Sequence, residues 1–76
     1  MTTSDAVRAK TLILAEAHTP TEEAVGGLME CCGGKRAPVV VARQQFLKDI
    51  DANRSDPVVS RAVELLGELL VRLPLG

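Results

Sequence analysis

The sequence predicts an all-α fold, a small compact bundle of about four short helices. Apolar residues recur at helical spacing in four segments of the chain. Residue types that commonly begin or end helices bound each segment, and the connections between segments are short. Because the chain has 76 residues, near the small end of what folds alone, we expect a single helical domain over residues 1–76.

The first helix is expected to begin near Ser4 or Asp5, which are good N-cap residues, and to end at about His18. The second is expected to begin at Thr19-Pro20-Thr21-Glu22, which has the spacing of a capping box with proline at the first helical position. Gly33-Gly34 is expected to end it.

The second helix also contains Gly26-Gly27, and each interior glycine costs about 1 kcal/mol relative to alanine. Two interpretations stay open for this pair. Either tertiary packing tolerates the cost, or the glycines allow a close helix crossing or a hinge.

The third helix is expected to run from Pro38 to about Asn53. Taken alone, Val39-Val40-Val41 would suggest a strand, but the following "ARQQFLKDI" continues at helical period. Arg43 projects within the apolar face of this helix. Its stem could pack there while its head reaches water, or it could contact a carboxylate or phosphate across an interface.

The fourth helix is expected to begin at Ser55 or Asp56, with Pro57 at its first position, and to end at about Leu73. Its apolar arc is wider than a surface helix of a small domain needs. The helix is therefore either central to the fold or half of a subunit interface, and both can hold. The residues expected at such an interface are Val59, Ala62, Val63, Leu66, Leu69, Leu70 and Leu73.

The composition disfavours several function classes. Phe46 is the only aromatic residue, whereas aromatics dominate small-molecule pockets and base-stacking sites. No run of about 18 apolar residues is present, and the N-terminal segment lacks the basic-then-apolar order of a signal peptide. We therefore expect a cytoplasmic protein without a membrane partner.

Basic residues concentrate in segment 35–61, although the net charge of the chain is −1. This segment contains six Lys or Arg residues and three Asp residues. This concentration suggests a small nucleic-acid-binding transcriptional or RNA regulator, as the alternative to a protein–protein interaction module. The residues that would contact nucleic acid or another partner are Lys35, Arg36, Arg43, Lys48, Arg54 and Arg61.

Two adjacent cysteines, Cys31 and Cys32, precede Gly33-Gly34. Cys32 falls where a core residue is expected, because unpaired cysteine packs as a small hydrophobe. A zinc site needs four ligands, and His18 is the only histidine, so we expect neither a metal nor a cofactor. A redox role for the two thiols stays open. Lys35 and Arg36 are expected to lie over the carbonyl end of the second helix.

No catalytic constellation is visible in the sequence, so we do not expect an enzyme. The small size and the broad apolar face favour a protein–protein interaction module, which would act as an adaptor, accessory or regulatory subunit. Self-association through the fourth helix, as a homodimer, is the expected mode.

Overall fold

A computed structural model describes residues 2–52 and 56–74 and confirms the all-α prediction. The helices are α1 (Thr3–Glu16), α2 (Thr21–Cys32), α3 (Arg36–Asp51) and α4 (Pro57–Arg72). Within the described ranges no strand forms. None of these helices is long and apolar enough to cross a lipid bilayer.

Helices α1 and α4 form the central pair of the bundle. Each of them contacts the other three helices, whereas α2 and α3 barely meet. The two flanking helices therefore lie on opposite sides of the central pair. This arrangement makes α4 central to the fold, which is one of the two roles that its broad apolar arc predicts.

The core is built from aliphatic side chains and one aromatic ring, drawn from all four helices. Its buried apolar members are Val7, Ala15, Ala24, Val25, Leu28, Cys32, Val39, Ala42, Phe46, Ala62, Leu65, Leu66, Leu69 and Leu73. Each large side chain buried in this way stabilises the fold by roughly 1.5–3 kcal/mol. Thr11 is also buried, and its hydroxyl donates to the carbonyl of Val7 one turn earlier.

Helix α1 begins earlier than the sequence predicts. Thr2 is the N-cap, and its Oγ1 accepts a hydrogen bond from the backbone N–H of Asp5 at 3.2 Å. The expected caps, Ser4 and Asp5, lie inside the first turn instead.

The predicted capping box at the start of α2 does not form. His18 adopts a left-handed conformation with φ of 55°, and the Thr19 N–H donates to the Leu14 carbonyl at 3.1 Å. Thr19 therefore belongs to the turn that closes α1. Pro20 is the N-cap of α2, without a side-chain hydrogen bond.

The glycine stop of α2 is confirmed. Gly33 and Gly34 have φ of 63° and 76°, a region that favours glycine. The Gly34 N–H donates to the Met29 carbonyl at 3.3 Å, which satisfies a carbonyl at the helix end.

The third and fourth helices largely follow their predictions. Helix α3 begins at Arg36, two residues before Pro38, and the three valines lie within it. Its end at Asp51 precedes the predicted Asn53, which lies outside the described residues. Of the two expected caps of α4, Ser55 lies outside the described residues and Asp56 is the N-cap, since its Oδ1 accepts from the Val58 N–H at 2.9 Å.

Gly26 and Gly27 do not mark a close helix crossing. A Cβ atom at Gly26 would have no other atom within 4 Å, and one at Gly27 would meet only the Lys10 side chain, at 3.6 Å. Both positions have room for a methyl group. The structure therefore gives no support to a close crossing at these glycines, and a hinge there stays a prediction.

Gly26 lies within a helix and Gly33 has a left-handed backbone conformation, which gives a testable prediction. Gly26→Ala should raise the free energy of unfolding by about 0.5–1 kcal/mol, because alanine is the better helix former and nothing obstructs it. Gly33→Ala should lower it by about 1 kcal/mol, because φ there is left-handed. Urea denaturation of both variants measures the two effects. A loss of stability in Gly26→Ala would contradict the prediction.

Candidate interaction surface

Helices α3 and α4 run antiparallel along one side of the bundle. The guanidinium of Arg36, at the start of α3, donates to the carbonyls of Leu70 at 2.8 Å and Leu73 at 3.2 Å. These bonds fix the start of α3 against the end of α4. They also satisfy carbonyls that a helix C-terminus leaves without partners.

The two flanks of α4 face different neighbours. Arg61 and Arg72 extend from one flank to Thr21 and Glu22 at the start of α2. The opposite flank lies on the α3 side. Its apolar residues are half-buried and pack against the core, and they are Val59, Val63 and Leu70.

Helix α3 presents a matching apolar stripe on its α4 side. Val40 is 40% exposed, Ile50 is 36% exposed, and Leu47 is half-buried without packing against the buried core. Arg43 lies in the middle of this stripe. We call the combined surface the α3–α4 face, which consists of Val40, Arg43, Leu47, Ile50, Val59, Val63 and Leu70.

The structure divides the predicted α4 interface into two parts. Three of its residues belong to the α3–α4 face, and the other four are buried in the chain's own core. The buried four are Ala62, Leu66, Leu69 and Leu73. That the three half-buried residues form an interface stays a prediction.

Arg43 carries an unmet hydrogen-bonding group. Its Nε atom is buried and has no partner among the described residues. The residue as a whole is half-buried. A donor withdrawn from water without an acceptor is costly. Because the chain itself covers Nε, another molecule would contact Arg43 through the terminal nitrogens of its guanidinium, which are not buried.

The predicted basic residues that the structure describes have different surroundings. Arg36 and Arg61 are engaged within the chain, the latter with Thr21 and Glu64. Lys35 and Lys48 are exposed, and Lys48 lies about 140° around α3 from Arg43. Arg54 lies outside the described residues.

The contact made by Arg36 corrects one expectation. The sequence places its charge over the carbonyl end of α2, but its guanidinium binds the carbonyl end of α4 instead. Chain reversal at Gly33-Gly34 makes Arg36 the first residue of α3 and directs it toward α4.

The two thiols occupy different environments. Cys32 is buried, and its Sγ lies 3.5 Å from the Met29 carbonyl, to which it donates. Cys31 is half-buried and packs against the core. Among residues 2–52 and 56–74, no group of three or more Cys, His, Asp or Glu side chains could hold a metal ion. A redox role stays a prediction.

Two open clefts, which the sequence pattern does not reveal, border Arg61. One of about 590 Å³ lies between the end of α1 and the start of α4. Its lining residues are Ala15, His18, Pro57, Val58 and Arg61. The other, of about 330 Å³, lies beside the start of α2. Each is lined by residues of two different parts of the chain, so both depend on tertiary packing.

Sequence reasoning also missed two contacts between helices. Arg72 binds both carboxylate oxygens of Glu22, which is fifty residues earlier in the chain. The guanidinium of Arg8 lies 5.6 Å from the centre of the Phe46 ring, a cation–π distance. Neither contact follows from residue spacing within one helix.

Comparisons with known proteins give no relative for this chain. No family model, no curated protein and no solved structure matched it.

The Arg36 contact predicts that substitutions at two adjacent basic residues affect the stability of the fold differently. Arg36→Met should lower the free energy of unfolding by about 1–2 kcal/mol, because carbonyls of α4 lose a charged donor. Lys35→Met should change it by less than about 0.5 kcal/mol, since Lys35 is exposed. Urea denaturation compares the two. Equal effects would show that the Arg36 contact does not stabilise the fold.

The Arg72–Glu22 pair predicts that the difference in stability between the wild type and Glu22→Gln depends on pH. The hydrogen bond and the charge of Arg72 lower the pKa of Glu22 below its ordinary 4.5. The wild type should therefore be more stable than Glu22→Gln above about pH 4.5. This advantage should disappear as pH falls through the lowered pKa. Thermal unfolding between pH 3 and 7 measures it, with Glu23→Gln as the matched control, because it removes a neighbouring exposed carboxylate and keeps the Arg72–Glu22 contact.

Proposed function

We propose that this protein is a non-enzymatic protein–protein interaction module, of adaptor, accessory or regulatory kind, which self-associates through the α3–α4 face. One observation carries the proposal. Two adjacent helices present partly exposed apolar stripes side by side, and a half-buried arginine, Arg43, lies in the middle of the α3 stripe. Interfaces favour apolar centres that contain arginine.

The size of the surface is compatible with this function. Helices of 16 residues are about 24 Å long, so the paired stripes form an extended surface. A standard interface buries about 800 Å² on each partner. That area is about one sixth of this chain's 4659 Å² of accessible surface.

The experiment that tests the proposal is light scattering across protein concentration, at low and high salt, with and without reductant. We expect a dimer that persists at high salt, because burial of apolar side chains is not screened. The dimer should also persist in reductant, because neither thiol is placed on the face. A monomer under all conditions would contradict self-association.

A matched pair of variants locates the surface. Leu47→Asp should weaken dimerisation at least about tenfold, because it places a charge at the centre of the face. Val41→Asp introduces the same change at an exposed position outside the face and should leave the dimer intact. Sedimentation equilibrium compares the two dissociation constants. If the two variants dimerise equally well, the α3–α4 face is not the interface.

A further inference from the structure

The geometry points to a specific arrangement of this dimer, which rests on the proposed function. Two copies pack their α3–α4 faces antiparallel about a two-fold axis near Leu47. In this arrangement Arg43 of each copy binds Asp51 of the second copy. The partner is thus another molecule of this chain, held by two symmetric ion pairs around an apolar centre.

The first step is the spacing along α3. Arg43, Leu47 and Asp51 are four residues apart, so successive members are offset by only about 40° around the helix. They form one stripe with a cation at one end, an apolar residue in the middle and an anion at the other. Arg43 and Asp51 are separated by about 12 Å along the helix axis.

Such a stripe is complementary to itself when it is reversed. A two-fold axis through Leu47 places each residue opposite the residue at equal distance on the other side of Leu47. Arg43 then faces Asp51 of the second copy, and Asp51 faces the second Arg43. A parallel arrangement would oppose like charges instead, which is destabilising.

The position of α4 supplies the apolar centre of this interface. Arg36 is level with Leu70 and Leu73, and a short connection joins the end of α3 to the start of α4. Leu47 is therefore level with a point between Val59 and Val63. These half-buried valines surround the proposed axis, so the middle of the contact is aliphatic.

The arrangement also gives the Arg43 guanidinium a charged acceptor. Its Nε is buried within the chain, but its two terminal nitrogens are not, and they have no hydrogen-bond partner among the described residues. Asp51 is exposed at the end of α3, and a carboxylate can accept two parallel hydrogen bonds from a guanidinium. The second copy therefore brings an acceptor to the accessible end of Arg43.

Charge reversal tests the arrangement. Arg43→Asp opposes Asp to Asp51, and Asp51→Arg opposes Arg to Arg43, so each variant alone should dimerise at least about tenfold more weakly than the wild type. An equimolar mixture should form a heterodimer, because both contacts then oppose an Asp to an Arg, one as in the wild type and one with the two charges exchanged. Light scattering of each variant and of the mixture measures this. Restoration in the mixture also shows that both variants are folded.

A second measurement does not depend on charge reversal. In a Cys31→Ser, Cys32→Ser background, Leu47→Cys places two thiols at the axis, and a short bismaleimide should join them into a covalent dimer. Val41→Cys, outside the face, should remain largely monomeric.

The possible results separate this inference from the proposed function. Heterodimer formation by the mixture, together with cross-linking at position 47, supports the arrangement. If the wild type dimerises and both charge variants dimerise equally well, the arrangement is overturned and the interaction function stands. The same holds if the wild type dimerises but the Leu47→Cys variant does not cross-link. A monomeric wild type overturns both.

Discussion

Burial of the leucine-rich side of α4 holds the other three helices in place. Leu65, Leu66 and Leu69 are completely buried, and α4 contacts every other helix. A chain of 76 residues has little apolar surface to spare, and α4 shares with α1 the role of packing against all the other helices. Phe46 is the only Phe, Tyr or Trp residue of the chain, so aliphatic side chains fill most of the core volume.

Local signals explain why the helices could be predicted from the sequence. Gly33-Gly34 ends a helix because both residues adopt positive φ, and Asp56-Pro57 begins one through a side-chain cap and a proline at the first position. Where two local signals competed, the prediction was wrong. Thr19 has the right spacing for a capping box, but the turn that closes α1 uses its N–H group.

Contacts between helices could not be predicted, because periodicity within one helix does not identify its neighbours. Arg36 illustrates this, since its interaction with helix carbonyls was expected but the helix it binds was not. The candidate surface could not be located from the sequence for the same reason. The broad arc of α4 correctly indicates more apolar surface than a peripheral helix needs. Only packing shows that Leu66 and Leu69 are covered internally while Val59 and Val63 remain partly exposed.

The two interior glycines of α2 have a consequence for local unfolding. Helix α2 lies outside the central pair, barely meets α3, and combines two poor helix formers with a start that lacks a side-chain cap. It is therefore the helix that should separate from the bundle at the lowest free energy. Cys32 is buried only while α2 is docked. In a Cys31→Ser variant, the rate at which a thiol reagent labels Cys32 therefore reports how often the C-terminal end of α2 separates from the core.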